Sequence, residues 1–418
     1  MTPTTETTAT TDPLAAEALD RSALMHTYPE PPVTFVRGEG TILWDTDGRR
    51  YLDFLGGLAV TSLGHAHPAV AEALAVQSRT LLHVSNLFGN VVGPPVAATL
   101  DRLIGGGTDR AGGQVFFTNS GAEANECAIK LARKWAGAGR HLVVSTWGSF
   151  HGRTLATLHA TGQTAKWAGF APLPEGFTHV PYDDIDALDA ACDPARVAAV
   201  LLEPIQGEAG VIMPSSDYLT AVRALCDERS ILFMADEVQT GLGRTGRWFG
   251  FQHTSVMPDV ITMAKALGNG VPIGACWASA EVAAAFGPGD HGSTFGGQPL
   301  ATAAAAATLA VMESEDVPAR ARRAGARLTA AREALDGISS VRGHGLLLGA
   351  ALDASVLGST VAADVVSAAL GAGLVMNAPR PDTIRLAPSL LVTDEEIDEA
   401  VAILAGVLAG FGSGAAEA

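Results

Sequence analysis

Cysteine is scarce: Cys127, Cys192, Cys226 and Cys276 are the only four in 418 residues, and no two form a Cys-x-x-Cys pair. That spacing excludes a zinc ribbon or finger, and a disulfide framework is a device of much smaller secreted chains. We read the four as small buried residues in a reducing compartment. Basic side chains are in deficit, 27 against 44 acidic ones, for a net charge of −17. Such a field repels nucleic acid and anionic membranes, so neither is expected as a partner, although a locally cationic site is still allowed. Long hydrophobic runs are missing as well. The apolar stretches Ala303–Met312 and Ala400–Phe411 are too short to cross a bilayer and read as packed helices. Met1–Asp20 has no basic n-region, no apolar h-region and no transit-peptide arginines, so no targeting segment is read there. Residues 1–25 read as a disordered tail, and the protein as cytoplasmic. No metal site is expected, because His65 and His67 stand two apart on a loop with no third ligand in view.

What is present points to an α/β protein: 48% hydrophobic residues, 17% charged residues and 47 glycines. The length suits one large domain with a smaller companion. Strand-like text opens the chain in "VTFVRGEG" and "TILWDTDGRRYLDF", with "DTDGRR" as a hairpin turn. From about Gly89 to Gly296, short apolar strands alternate with helices: "QVFFTN" before "AEANECAIKLARKWAG", then "HLVVST", "VAAVLLEP", "ILFMADEV", "DVITMA" and "IGACWAS". Continuous apolar runs suit strands buried on both faces, and the alternation predicts a mostly parallel sheet covered by helices. Beyond about Leu300 two Ala-rich helices reach roughly Leu335, and the strands "VRGHGLLLGAAL", "GLVMNA" and "TIRLAPS" follow. That part reads as a smaller α+β domain with which the N-terminal strands pack.

In parallel α/β sheets ligands bind beyond the carboxyl ends of the strands, so residues that end strands come first. In "TNSGAEANE" a strand stops and a helix starts at Ser120-Gly121-Ala122. Free N–H groups there suit a phosphate, although a plain capped helix start reads the same way. Asp236 ends a buried run in "FMADEVQTGLGRTG". A buried acid needs a partner, and a protonated pyridine nitrogen is one; Gln239 could reach a ring substituent, while a turn-capping role is the bland alternative. Lys265 sits in apolar "VITMAKALGNG", where desolvation favours the neutral amine that forms a Schiff base, against the ordinary fate of a snorkelling lysine. In "SFHGRTLAT", Phe150 could stack on a flat cofactor and Arg153 could grip a carboxylate, or the two could be core and surface residues. Ser293 and Thr294, in "HGSTFGGQP", offer hydroxyls to a phosphate or simply form a turn.

In this order, "NSGAEANE", "FHGRT", "EPIQGEAGV", "DEVQTGLGRTG", "AKALGNGVPIGA" and "GSTFGGQPLA" resemble the class III (ω-) aminotransferases. The upstream text "LWDTDGRRYLDFLGGLAVTSLGHAHP" followed by "LLHVSNLF" is most similar to the acetylornithine aminotransferase subgroup. The likeness runs from about Tyr28 to Ile397. It implies the type I pyridoxal 5′-phosphate (PLP) transferase fold, an α/β arrangement with a mostly parallel seven-stranded sheet between helices plus a smaller α+β domain. The implied division is 26–55 for the N-terminal segment of the small domain, 56–299 for the large PLP-binding domain and 300–418 for the C-terminal small domain.

The resemblance also implies roles. Lys265 bonds PLP and moves the proton, Asp236 holds the pyridine nitrogen protonated, Gln239 contacts the phenolic oxygen, and Val238, beside Glu237, packs on the ring opposite Phe150. Ser120, Gly121 and Ala122 serve the phosphate, joined by Thr294 from a partner subunit of a homodimer with shared active sites. Arg153 takes a substrate carboxylate, Ser293 and Tyr28 lie beside the substrate, and Arg385 takes the α-carboxylate of glutamate or 2-oxoglutarate when Glu208 releases it. The implied donor is N-acetylornithine, with ornithine, succinylornithine and 4-aminobutyrate as rivals. A non-catalytic PLP-binding regulator is the reading from another class; it would carry a DNA-binding segment, for which the first 25 residues are too short and the net charge has the wrong sign. Two positions depart from the family's habit: Ala122 stands where many relatives have Thr, and Gln298 where many have Asn.

Overall fold

The computed structural model describes residues 21, 23–106, 111–331 and 335–412. Most of the tail expected over 1–25, and the end of the segment 300–418, lie outside them. β1 (Phe35–Glu39), β2 (Ile42–Asp45) and β3 (Arg50–Asp53) form an antiparallel meander. Its second turn is the expected hairpin: Asp45 Oδ1 accepts the N–H groups of Asp47 (3.0 Å) and Arg49 (2.8 Å), an Asx device that closes "DTDGRR".

The strands that follow are β4 (Gln114–Thr118), β5 (Leu142–Thr146), β6 (Phe177–Val180), β7 (Val197–Leu202), β8 (Leu232–Asp236), β9 (Val260–Met263) and β10 (Gly274–Ala278). They make one seven-stranded sheet in the order β4-β10-β9-β8-β7-β5-β6. Every residue of β7, β8, β9 and β10 is buried, which is why their text is continuously apolar. β10 alone is reversed, antiparallel to both β4 and β9. The remaining strands therefore run one way, and the carboxyl ends of β4, β8 and β9 lie at the same sheet edge as the amino end of β10. β6 was not foreseen: "FTHV" is short and half-polar, and it pairs at the outer edge.

The two Ala-rich helices are Pro299–Ser314 and Val317–Ala330. Then β11 (Ile338–His344) and β12 (Leu347–Leu352) form a hairpin, which continues through β13 (Leu374–Val375), β14 (Asn377–Arg380) and β15 (Thr383–Leu386). β11-β12-β15-β14 is a second sheet, while β13 leaves it to pair in parallel with β3 and complete the N-terminal one. The two ends of the chain thus build one region. A continuous apolar core joins it to the large sheet, from Leu52 and Phe54 through Phe233 to Leu348 and Ile384. All four cysteines are buried as free thiols, Cys192 and Cys226 in this core and Cys127 and Cys276 in a second apolar cluster.

Candidate active site

The shared edge of β4, β8, β9 and β10 opens into a cavity of about 380 Å³. The turn after β4 delivers Ser120, Gly121 and Ala122 to its wall, where the helix Gly121–Ala136 starts. Ser120 caps that helix, its Oγ accepting Glu123 N–H at 3.2 Å. The amides of the first turn have no partner within the helix and carry the positive end of its dipole. Gly121 has a steric reason: a Cβ there would meet both Val238 methyl carbons at 2.9 Å, so glycine lets the helix start and the cavity wall touch.

Asp236 is the last residue of β8 and is buried. Its Oδ2 accepts Asn125 Nδ2–H at 2.7 Å and lies 2.7 Å from His151 Nδ1, while Oδ1 accepts Val238 N–H at 3.0 Å. Asn125 is itself held by His151 O (2.8 Å) and by the Thr262 hydroxyl (2.8 Å). The carboxylate is therefore fixed from three sides and still lines the cavity. Neither Asn125 nor His151 was singled out as its partner in the sequence, because nothing in a linear string brings 125, 151 and 236 together.

Lys265 follows β9 with φ of 45°, a left-handed backbone that a lysine rarely adopts. It lines the cavity, and burial pulls its pKa below the usual lysine range, with Glu208 opposing that pull and Arg385 adding to it. The neutral amine is thereby favoured. Phe150, Arg153, Val238 and Gln239 lie in the same wall, with the Arg153 guanidinium carbon 5.7 Å from the Phe150 ring centre.

Arg385 and Glu208 form a tight pair, Nη1 to Oε1 at 2.5 Å. Gln239 bridges them, its Nε2 donating to Glu208 (3.3 Å) and its Oε1 accepting from Arg385 Nη1 (3.1 Å). Burial pushes the Glu208 pKa up, but Arg385 and Lys265 outweigh it and hold the carboxyl below its ordinary value. Arg385 is buried, and its Nη2 has no partner among the described residues. A buried guanidinium with a spare donor beside a partly buried acid has the chemistry that suits a carboxylate.

Five expected residues do not line the cavity, and Arg385 is one, reaching it only through Glu208 and Gln239. Ser293 and Thr294 line a neighbouring cleft of about 300 Å³, joined to the first through Asn119, whose Nδ2 donates to Ser293 Oγ at 3.2 Å. Tyr28 is 80% exposed and does not line the cavity. Glu237 turns away from it: its carboxylate accepts from the Thr240 hydroxyl, Gly250 N–H and Phe251 N–H. Besides Asn125, the wall residues that the sequence reading missed include Glu203 and Val60. Glu203 accepts Phe150 N–H (3.0 Å) and Gly207 N–H (3.1 Å) and has a pKa raised to about 7, by burial above all; its place at the end of β7 was the available signal. Val60 follows directly on a run of left-handed residues, Gly56 to Ala59, that no periodicity announces.

The sequence model of the family described as aminotransferase class-III matches residues 24–408. The chain belongs to the class-III aminotransferase family. It is 49% identical to the acetylornithine aminotransferase of Corynebacterium efficiens, over 92% of this chain and 95% of that one. An ornithine aminotransferase structure from Toxoplasma gondii, with PLP in partial occupancy at its active site, superposes with a TM-score of 0.87 at 36% identity, covering 96% and 95% of the two chains. The acetylornithine aminotransferase of Elizabethkingia anophelis superposes with a TM-score of 0.81 at 34% identity, covering 95% and 98%. This class-III aminotransferase is a PLP-dependent transaminase. Its cavity fits that group chemically, with a helix start for a phosphate, flat walls at Phe150 and Val238, a triply held buried acid and a desolvated lysine.

Proposed function

We propose that this class-III aminotransferase transfers the δ-amino group of N2-acetyl-L-ornithine to 2-oxoglutarate, as a step of arginine biosynthesis. The observation that carries this reading is likeness at two levels. Relatives named acetylornithine aminotransferase are 46–49% identical over nearly the whole chain, and the cavity that Arg153 lines is also lined by Glu208, which carries Arg385 behind it. Only a substrate pair that differs by a carboxylate calls for an arginine that can be masked and unmasked.

Bound PLP supplies an electron sink for the carbon that bears the amine. In this reading Asp236 keeps a proton at the pyridine nitrogen, backed by Asn125 and His151, and Gln239 faces the phenolic oxygen. The amides of Gly121 and Ala122, with Ser120, hold the phosphate, and Phe150 and Val238 enclose the ring. Lys265 Nζ would anchor the cofactor and, as the neutral amine that burial favours, would take and return the proton of the amine-bearing carbon. Arg153 takes the α-carboxylate of the acetylated amine and, later, the distal carboxylate of glutamate. Arg385 stays on Glu208 while the amine is bound and turns to the α-carboxylate of the dicarboxylate. We further infer a homodimer in which the partner's Thr294 completes the phosphate site, a cytoplasmic location, and a large domain over 56–299 with the small one built from both ends. Among the described residues no helix is long and apolar enough to cross a membrane.

The deciding test is an absorbance scan of the purified, PLP-loaded protein with N-acetylornithine alone, against ornithine and 4-aminobutyrate at equal concentration. The yellow band should bleach fastest with N-acetylornithine and return with 2-oxoglutarate. A faster response to another amine would keep the reaction class and overturn the donor.

A further inference from the structure

Arg244 is a cation buried without an acid beside it. It is 1% exposed and lies in the loop that leaves β8. Among the described residues no carboxylate pairs with it. Its Nη1 donates to two carbonyls, Leu346 O at 3.1 Å and Pro388 O at 2.6 Å, and its Nη2 reaches Ser62 Oγ at 3.3 Å. Its Nε is buried with no partner. Burial first, and then the like charge of Arg385, pull its pKa down to about 9. An uncompensated buried charge is costly to keep, and an apolar side chain would fill the same space without that cost.

The three partners come from three separate pieces of chain. Ser62 belongs to the N-terminal segment, Leu346 to the turn between β11 and β12, and Pro388 to the stretch just after β15. The contact is tight on the backbone side too: Leu346 N–H donates to Arg244 O at 2.9 Å, and a Cβ on Gly345 would lie 2.6 Å from that same oxygen. Pro388 is only three residues beyond Arg385, and β12 is the direct neighbour of β15. On the other side, Arg244 shares its loop with Gln239, which bridges Arg385 and Glu208. Both ends of the carboxylate arm are therefore tied to one side chain.

We propose that Arg244 is a positioning residue for the dicarboxylate half of the reaction: its fork fixes β12 and β15 against the loop of Gln239, so that Arg385 stands in place to exchange Glu208 for a substrate carboxylate. Its charge adds to the effect. Arg244 and Arg385 repel as like charges, and a dicarboxylate bound at Arg385 offsets that repulsion.

The inference rests on the function proposed above, and the two are tested separately. In the PLP-loaded enzyme, Arg244→Met is expected to raise KM for glutamate and 2-oxoglutarate by roughly tenfold or more, while kcat/KM of the amine half-reaction stays within about threefold. Arg244→Lys, which keeps the charge and loses the fork, should fall between the wild type and Arg244→Met, and it decides the matter should Arg244→Met not fold. Calorimetric titration with glutarate, an unreactive dicarboxylate, should show the same order of weakening without any turnover. Equal losses in both half-reactions that track a lower melting temperature would make Arg244 merely structural and overturn the proposal, as would unchanged dicarboxylate affinity. Failure of the functional reading looks different: wild-type enzyme would then respond poorly to N-acetylornithine whatever residue stands at 244.

Discussion

At the residue scale, the site is built from side chains placed where their ordinary behaviour is suspended. Lys265 combines a left-handed backbone with a desolvated amine; strain and burial at one position are tolerated where a reaction needs them. Lys265→Ala is expected to abolish the yellow band of the bound cofactor and to cut turnover by roughly 10³-fold or more, the scale of losing an anchored proton carrier. A spectrum and a steady-state assay together check this; a variant that keeps the band would remove Lys265 from its assigned role. Arg385 makes the sharper case, because its Nη1 is engaged by Glu208 and Gln239 while its Nη2 is spare. Arg385→Ala should cost the glutamate half-reaction about 10²-fold, in line with the loss of one bidentate charged contact, and the amine half-reaction far less. Single-turnover absorbance traces with each substrate separate the two, and matched losses would rule out the exchange between Glu208 and Arg385.

At the element scale, loops carry the chemistry and strands hold the loops, and this division decides what the sequence reveals. Strands such as "VAAVLLEP" and "ILFMADEV" are legible because burial on both faces demands continuous apolar text. The acid and the lysine are legible because each interrupts or follows such text. β6 is not, since an edge strand buried on one side needs no such pattern. The antiparallel sense of β10 is also silent in the sequence, as the pairing partner sets it. Nor does the text distinguish a carboxylate facing the cavity from one facing its own loop, and Glu237 is the instance. Its carboxylate pins the loop Thr240 and the short turn Gly250–His253. Burial, only partly offset by those bonds, lifts its pKa from 4.5 to about 7. Between these values the folded protein holds a proton that the unfolded chain has released, so this group's contribution to stability falls as pH rises from 4.5 towards 7 and is flat above. Glu237→Gln removes that titration. In urea unfolding measured across this range, the stability of wild type relative to Glu237→Gln should decline with rising pH; a constant difference would place the proton elsewhere.

At the scale of the whole molecule, one surface among the described residues is notably apolar. Leu87 is 88% exposed, Phe88 71%, Val91 89% and Phe295 65%, a density of large apolar side chains that water-facing surfaces avoid. They form one patch, because Asn86 Nδ2 donates to Ser293 O (2.9 Å) and Gly296 O (3.0 Å) and so ties the segment around Leu87 to the loop that carries Thr294. Thr294 is exposed and lies outside its own chain's main cavity. A second copy seated on this patch would cover the apolar side chains and give the Thr294 hydroxyl a site to serve. The double substitution Leu87→Asp with Phe88→Asp puts two charges in the middle of that contact, where each stays unpaired and desolvated in a dimer. Light scattering should show a monomer, and PLP should bind at least about tenfold more weakly, the effect of one lost charge-assisted phosphate bond. An unchanged dimer would move the interface to another face. A monomer that holds PLP as tightly as wild type would keep the interface and show that each chain completes its phosphate site from its own residues.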